Sequence, residues 1–211
     1  EEGNPRNLHA LVLLELEKVR NLIQRAAGGE NVQQEFKTAV AAGIQGSQRL
    51  LTLFPQEPLF WRTQGALYEM VIPFISGAER LAADSYRKAG ELDPYNPVIW
   101  TDLGRAYLVF GERVQFLINQ GNQQPELPQV RSAALAEAEK AFQKAVEVKP
   151  DFAQAHFLLA QTAVRLNKIQ DAIRSVENAR QSAPLDIGIA FQLGLLYYQT
   201  NDMNRAEAEF L

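Results

Sequence analysis

A small set of residues recurs along this chain of 211 residues at a spacing of 34. An alanine opens the pattern, an aromatic or branched residue follows four positions later, and a proline closes it. The members are Ala138, Ala172 and Ala206; Phe142, Val176 and Phe210; and Pro150 and Pro184. Such a spacing is typical of architectures in which one short supersecondary unit stacks on the next. The spacing therefore predicts a repeat array before any local structure is considered.

Each unit is predicted to contain two helices. Its first half carries a Leu-Gly or Leu-Ala pair, and its second half carries the recurring alanines. Small residues allow two helices to approach closely, and larger neighbours fill the adjacent spaces. The closing proline lacks a backbone N–H and disfavours helical geometry in the residue before it, so it ends the second helix.

Two stretches carry the most specific residues. They read Trp100-x2-Leu103-Gly104-x2-Tyr107 and Ala138-x3-Phe142-x2-Ala145-x4-Pro150. Together they resemble the signature of the tetratricopeptide repeat, a helix-turn-helix unit of about 34 residues. An earlier unit is similar, with Trp61, Gly65 and Tyr68. The resemblance implies an all-α fold, a right-handed superhelical array of antiparallel helix pairs, over residues 58–211.

The units differ in length. The predicted divisions are 58–96, 97–152, 153–186 and a truncated 187–211. The first unit has five extra residues near 71–77, which predict a bulged turn. The second has a 22-residue insertion within Gly111–Ser132; we expect Val114–Ile118 to prolong the preceding helix and Asn119–Pro128 to form an exposed loop. The third has His156 where tryptophan is favoured, and we expect this histidine to pack in the place of the tryptophan.

Residues 1–57 lack the repeat markers but contain two apolar stripes at helical spacing. The first ends near Gly28-Gly29 and comprises Leu8, Leu11, Val12, Leu16, Val19, Leu22 and Ile23. The second is closed by Pro55, and Gly43 and Ser47 within it would permit close helix contact. We expect a helical hairpin here, either a degenerate repeat or an independent cap.

Charge and residue types argue against several functions. The formal net charge is −4, from 21 Lys and Arg against 25 Asp and Glu, so no basic field exists to bind nucleic acid. The two histidines do not form a metal-binding or catalytic pattern, and the chain has no cysteine. Gly43–Ser47 superficially resembles a phosphate loop but lacks the required lysine and spacing. We therefore predict a non-enzymatic protein without cofactor or metal.

The chain carries no predicted membrane span. Its most apolar early run, Ala10–Leu14, is far shorter than the roughly 18 residues that a bilayer requires. Because the chain opens with Glu1-Glu2 and lacks an initiator methionine, we expect a fragment of a longer protein. Its compartment is left open, although the stretch Phe60–Phe74 resembles repeat domains attached to bacterial polytopic membrane proteins.

The resemblance also implies where a partner binds. In this family the first helix of each unit lines a concave groove that commonly receives a peptide segment of another protein. The corresponding residues here are Arg62, Ala66, Glu69, Thr101, Arg105, Leu108, Phe157, Gln161, Val164, Leu195 and Tyr198. Arginines suit carboxylates and the apolar residues suit hydrophobic anchors, so this mixed lining predicts a protein or peptide partner.

One variant of the family clamps a terminal carboxylate with Lys and Asn at set positions. Those positions hold Arg62, Ala66, Asp102 and Leu158 here, so the clamp is not conserved. Two alternatives to the scaffold stay open. One is a regulatory or substrate-presenting domain of a larger membrane-associated enzyme, such as a glycan polymerase or transferase. The other is homo-oligomerisation through an open carboxy-terminal end, where we expect Leu193, Leu196, Tyr197 and Phe210 to be exposed.

Overall fold

The computed structural model describes residues 4–211, and all the regular structure within them is helical. The helices are α1 (Pro5–Ala27), α2 (Gln33–Leu53), α3 (Pro58–Val71), α4 (Ala78–Leu92), α5 (Pro97–Asn119), α6 (Leu127–Val148), α7 (Ala153–Arg165), α8 (Ile169–Ser182), α9 (Ile187–Gln199) and α10 (Met203–Phe210). Consecutive helices pack in pairs, from α1 with α2 through α9 with α10. The prediction of an all-α fold built from helix pairs is confirmed.

Local sequence signals explain where several helices begin. A proline occupies the first turn of α1, α3, α5 and α6, where its missing N–H breaks no hydrogen bond. Asn96 caps α5 by accepting a hydrogen bond from the backbone N–H of Val98 at 3.1 Å, and Asp186 caps α9 through Ile189 at 3.1 Å. The helix starts are therefore encoded locally.

The turns inside the last two pairs also repeat. Asn167 and Asn201 adopt left-handed backbone conformations, with φ of 59° and 63°. They lie 34 positions apart, each directly after the first helix of its pair. Asparagine tolerates this conformation better than most residues that carry a side chain. The two turns therefore share one geometry, as the repeat spacing requires.

A glycine facing an aromatic ring joins the helices of three pairs. A Cβ atom added to Gly194 would lie 2.4 Å from Phe210, and one on Gly104 would lie 2.5 Å from Phe142. The third contact joins Gly65 to Tyr86, at 2.8 Å. Gly194 and Phe210 are 16 positions apart in the sequence, whereas Gly65 and Tyr86 are 21 apart and Gly104 and Phe142 are 38 apart. The differences of 5 and 22 equal the lengths of the two insertions. Both insertions therefore leave the inter-helix contact unchanged.

The long insertion is absorbed mainly by helix. α5 continues to Asn119 and α6 begins at Leu127, so the connection is limited to residues 120–126. The prolonged α5 agrees with the sequence prediction. The expected loop from Asn119 to Pro128 is too long, because Leu127 and Pro128 already belong to α6. In contrast, the five extra residues of the earlier unit lie in the turn between α3 and α4, at 72–77.

The described residues form two compact units, one that ends at residue 94 and one that comprises residues 95–211. From here on these are the first unit and the second unit, as distinct from the repeat units of about 34 residues. The first contains α1–α4 and has a core cluster of Val12, Leu50, Leu51 and Phe60. The second contains α5–α10, and one of its core clusters includes Ile173, Ile189, Leu193 and Leu196. α3 and α4 thus belong to the same compact unit as the amino-terminal hairpin.

The amino-terminal hairpin follows its predicted stripes with one exception. Val12, Leu16, Val19 and Leu22 are buried in α1. Leu11 is 59% exposed, so its assignment to the buried stripe was wrong. Gly43 and Ser47 are buried, and a Cβ on Gly43 would lie 3.1 Å from Leu67 of α3. This glycine therefore allows α2 and α3 to approach closely, as its position in the sequence indicated.

Candidate functional site

The predicted groove residues of the first unit have different roles. Arg62 in α3 is half-buried and keeps part of its side chain accessible. Glu69 is only 9% exposed, and its carboxylate accepts a hydrogen bond of 2.6 Å from the hydroxyl of Tyr86, which is fully buried. The placement of Glu69 on a partner surface is thus corrected, because its oxygen satisfies the buried hydroxyl of α4.

Two predicted groove residues of α5 are also unavailable to a partner. Thr101 is 1% exposed, and its hydroxyl donates to the carbonyl oxygen of Pro97 at 2.8 Å. Leu108 is 5% exposed and belongs to a core cluster with Leu135 and Phe142 of α6. Both assignments to the groove are corrected, because α5 buries these side chains instead of presenting them.

Arg105 is the remaining groove residue of α5, and it keeps about a third of its side chain exposed. Its guanidinium lies 2.9 Å from the carboxylate of Asp102, whose side chain is only 6% exposed. A nearly buried carboxylate without a cation would be costly, so this ion pair holds Arg105 in place. Arg105 is therefore already committed to a partner within the chain.

α7 contributes a half-buried part of the surface. Phe157, Gln161 and Val164 are each partly exposed, and Phe157 and Val164 pack against the core cluster that also contains residues of α9. Arg165, at the end of this helix, forms an ion pair with Glu112 of α5. The apolar residues of α7 therefore offer side-chain surface but not a deep pocket.

α9 presents the most exposed apolar surface of the predicted groove. Leu195 is 41% exposed and Tyr198 is 61% exposed, as the groove prediction requires. Ile187 and Phe191, which the sequence prediction missed, are 84% and 55% exposed. These four residues follow helical spacing on one side of α9, opposite the buried Ile189, Leu193 and Leu196. We call Ile187, Phe191, Leu195 and Tyr198 the α9 stripe.

The stripe lies on a helix without charge. No Asp, Glu, Lys or Arg occurs between Ile187 and Gln199. A helix that is apolar around its circumference is normally enclosed by protein, yet one side of α9 faces outward. Its i, i+4, i+8, i+11 spacing was readable in the sequence, but the groove positions implied by the repeat resemblance included only Leu195 and Tyr198. The arrangement is suited to apolar contact.

The carboxy-terminal end is less open than predicted. Leu193 and Leu196 are each 2% exposed and Tyr197 is 5% exposed, so the expectation that they are exposed was wrong. Phe210 is 47% exposed, in agreement with the prediction, although its ring packs against Gly194 and lies 5.8 Å from that of Phe191. α8 and α10 together therefore cover the side of α9 that carries Leu193, Leu196 and Tyr197.

A polar cluster fastens α10 to its neighbours. The hydroxyl of Tyr197 donates to Glu177 of α8 at 2.6 Å, and the guanidinium of Arg205 lies over the Tyr197 ring at 4.4 Å. Arg205 also bonds Asp202 at 2.6 Å. Burial and the hydrogen bond to Glu177 raise the pKa of Tyr197 to about 12, and hydrogen bonds from Arg205 lower the pKa of Asp202. These groups are engaged in holding α8, α9 and α10 together.

His156 has a structural role. It is 5% exposed, and its Nε2 lies 2.8 Å from the carbonyl oxygen of Pro150, six residues earlier. Trp61 makes the equivalent contact, since its indole N–H donates to the carbonyl oxygen of Pro55 at 2.8 Å, also six residues earlier. The histidine thus packs in the place of tryptophan, as its repeat position predicted, and the structure adds that it also donates to the linker.

Two further observations on the described residues concern metal binding and membrane spans. Within residues 4–211, no three His, Asp or Glu side chains come together in a way that would hold a metal ion. Over the same residues, every helix is too short or too polar to traverse a lipid bilayer.

Comparisons with known proteins match this architecture. A family model described as tetratricopeptide repeat matches residues 130–163 and 157–211. No curated protein sequence matches the chain. The solved structure of MamA is 19% identical, with a TM-score of 0.60 over 84% of this chain and 88% of that one.

Two further solved structures share the fold. A thermophilic TPR protein of Thermus thermophilus is 18% identical, with a TM-score of 0.55 over 93% of this chain and 88% of that one. The first TPR domain of Spaghetti (RPAP3), bound to the HSP90 peptide SRMEEVD, is 22% identical, with a TM-score of 0.51 over 69% of this chain and 97% of that one. Together with the repeat spacing and the paired helices, these matches show that the chain has the fold of a tetratricopeptide repeat array, and the family model itself covers residues 130–211.

Proposed function

We propose that the second unit is a protein-interaction scaffold that binds a segment of a partner protein against the α9 stripe. The observation that carries this proposal is the outward exposure of Ile187, Phe191, Leu195 and Tyr198 on one side of a single uncharged helix. Isolated exposed apolar residues are ordinary, but an aligned set of four forms a continuous patch that typically marks an interaction site.

The rest of the predicted groove in this unit provides lesser contributions. Phe157 and Gln161 of α7 are half-buried and offer an apolar edge and an amide. Arg105 offers little available charge, because its guanidinium is paired with Asp102. The Spaghetti TPR domain, which binds a peptide, supports peptide recognition as a use of this fold. Fold likeness alone does not specify a partner, so the proposal depends on the stripe.

The proposal is tested with two variants of the whole chain. Leu195→Asp/Tyr198→Asp places two charges on the stripe, and Phe116→Asp places one on a different exposed aromatic residue, which is 60% exposed on α5. Proteins retained by each immobilised variant are compared quantitatively by mass spectrometry. We expect a set of proteins retained by the wild type and by Phe116→Asp to be lost from the stripe variant. Equal retention by all three chains would refute the proposal.

A further inference from the structure

We infer that the partner segment bound by the α9 stripe is apolar and contains no acidic anchor. This inference rests on the proposed function and specifies the chemistry of its ligand. It depends on where the charges of the second unit lie and on what already pairs with them.

The first helices of the second unit offer no readily available cation to an acidic ligand. Arg105 in α5 is paired with Asp102, and Arg165 in α7 is paired with Glu112. Arg113, further along α5, is not without a partner either. α9 itself contains no charged residue. A ligand carboxylate would therefore have to compete with a carboxylate of the protein for Arg105 or Arg165.

That competition is unfavourable at Arg105. The Asp102 side chain is 6% exposed, so withdrawing Arg105 would remove a cation from a nearly buried carboxylate. Breaking a buried ion pair in this way is strongly destabilising, whereas a new solvent-exposed ion pair between Arg105 and a ligand would stabilise the complex only slightly. Arg105 is thus kept by its own chain.

The cations near the two ends of α9 are engaged as well. Arg180 lies 2.9 Å from Glu209, and Arg205 lies 2.6 Å from Asp202. Each of these arginines is matched by an acidic group, so neither end of the stripe presents an excess of positive charge. Charge complementarity therefore favours a ligand that brings no negative charge to the stripe.

The dimensions of the stripe set the size of the ligand. Ile187 and Tyr198 are eleven residues apart, which corresponds to about 16 Å along a helix. That distance accommodates about three turns of a helix or about five residues of an extended strand. The expected ligand is a short segment with three or four apolar side chains on one side.

The test is a selection from a random library of displayed 12-residue peptides on the whole chain. Peptides are first depleted on Leu195→Asp/Tyr198→Asp and then selected on the wild type, and the dissociation constants of synthetic versions of the selected peptides are measured at low and high salt. The HSP90 peptide SRMEEVD serves as an acidic comparator. If circular dichroism shows that the double variant does not fold, Ile187→Asp replaces it, because Ile187 is 84% exposed.

We expect selected peptides rich in Leu, Ile, Phe and Trp, with affinities that change less than about twofold between low and high salt, since apolar contact is not screened by ions. We expect SRMEEVD to show no saturable binding. Stripe-dependent peptides rich in Asp and Glu, with affinity falling about tenfold or more in high salt, would overturn the inference but leave the proposed function standing. If no selected peptide depends on the stripe, the proposed function itself fails.

Discussion

The glycine at position 104 provides the strictest test of how the helix pairs are held together. A Cβ atom added there would lie 2.5, 2.7 and 2.8 Å from three ring carbons of Phe142. Carbon atoms normally separate by about 3.5–4.0 Å, so the ring would have to retreat by about 1 Å. Phe142 is fully buried, and no solvent-facing space is open to it. We therefore expect Gly104→Ala to destabilise the second unit.

The magnitude follows from two opposing effects. Overpacking a core costs about 1–3 kcal/mol, whereas alanine favours a helix over glycine by up to about 1 kcal/mol. The expected net loss is about 1–2 kcal/mol of unfolding free energy. Gly111 of the same helix is the matched control. Its added Cβ would meet the flexible end of Leu135 at 3.2 Å, so Gly111→Ala is expected to be neutral or slightly stabilising.

Each unit contains one tryptophan, which allows the measurement to be made on the second unit alone. In a Trp61→Phe background, urea unfolding followed by the fluorescence of Trp100 reports on residues 95–211. A double-mutant cycle with Phe142→Leu adds a second criterion, since the smaller side chain should relieve part of the cost of Gly104→Ala. The packing argument is refuted if Gly104→Ala is as stable as the wild type, or if the two substitutions add without coupling.

Two more outcomes follow from the polar contacts of the second unit. His156→Phe removes the hydrogen bond to the carbonyl oxygen of Pro150 and should lower the unfolding free energy by about 1 kcal/mol. His156→Trp retains a donor and should lose less. Urea unfolding measures both losses, and equal losses would contradict the donor role. Because the pKa of Tyr197 is raised to about 12, its stabilising contribution should be complete below pH 10 and decline between pH 10 and about 12. The unfolding free energy of Tyr197→Phe should decline less over that pH range. An unchanged decline would show that the titration of Tyr197 is not its cause.

Much of the fold was predictable because its determinants are local or periodic. Phe142 and Pro150 are eight residues apart, as Val176 and Pro184 are, and Gly104 and Phe142 are separated by 16 positions, as Gly194 and Phe210 are, plus the 22-residue insertion. The repeat spacing was therefore enough to identify the helix pairs. His156 was assigned correctly for the same reason. The extent of the long insertion was less predictable, because polar residues near Asn119 and Pro128 occur in loops and at helix ends alike.

The groove residues were harder to predict because a single helix does not show which of its sides will be covered. Thr101 and Leu108 occupy positions that commonly face a ligand in this family, yet both are buried in this chain. Leu108 packs with Leu135 and Phe142 of α6, the helix paired with α5. Glu69 is similarly withdrawn by a buried hydroxyl of the paired helix. These contacts join residues that are distant in sequence.

The sequence by itself determined the all-α class, the 34-residue spacing and the pairing of helices, because these depend on backbone preferences and on small residues that recur at fixed intervals. Only the tertiary structure decided which side chains remain accessible and which charges are already paired. Exposure is set by the helices that pack on each side, and the pairing of Arg105 with Asp102 depends on how deeply Asp102 is buried. The helical spacing of the α9 stripe is therefore visible in the sequence, but its outward orientation depends on how the neighbouring helices pack.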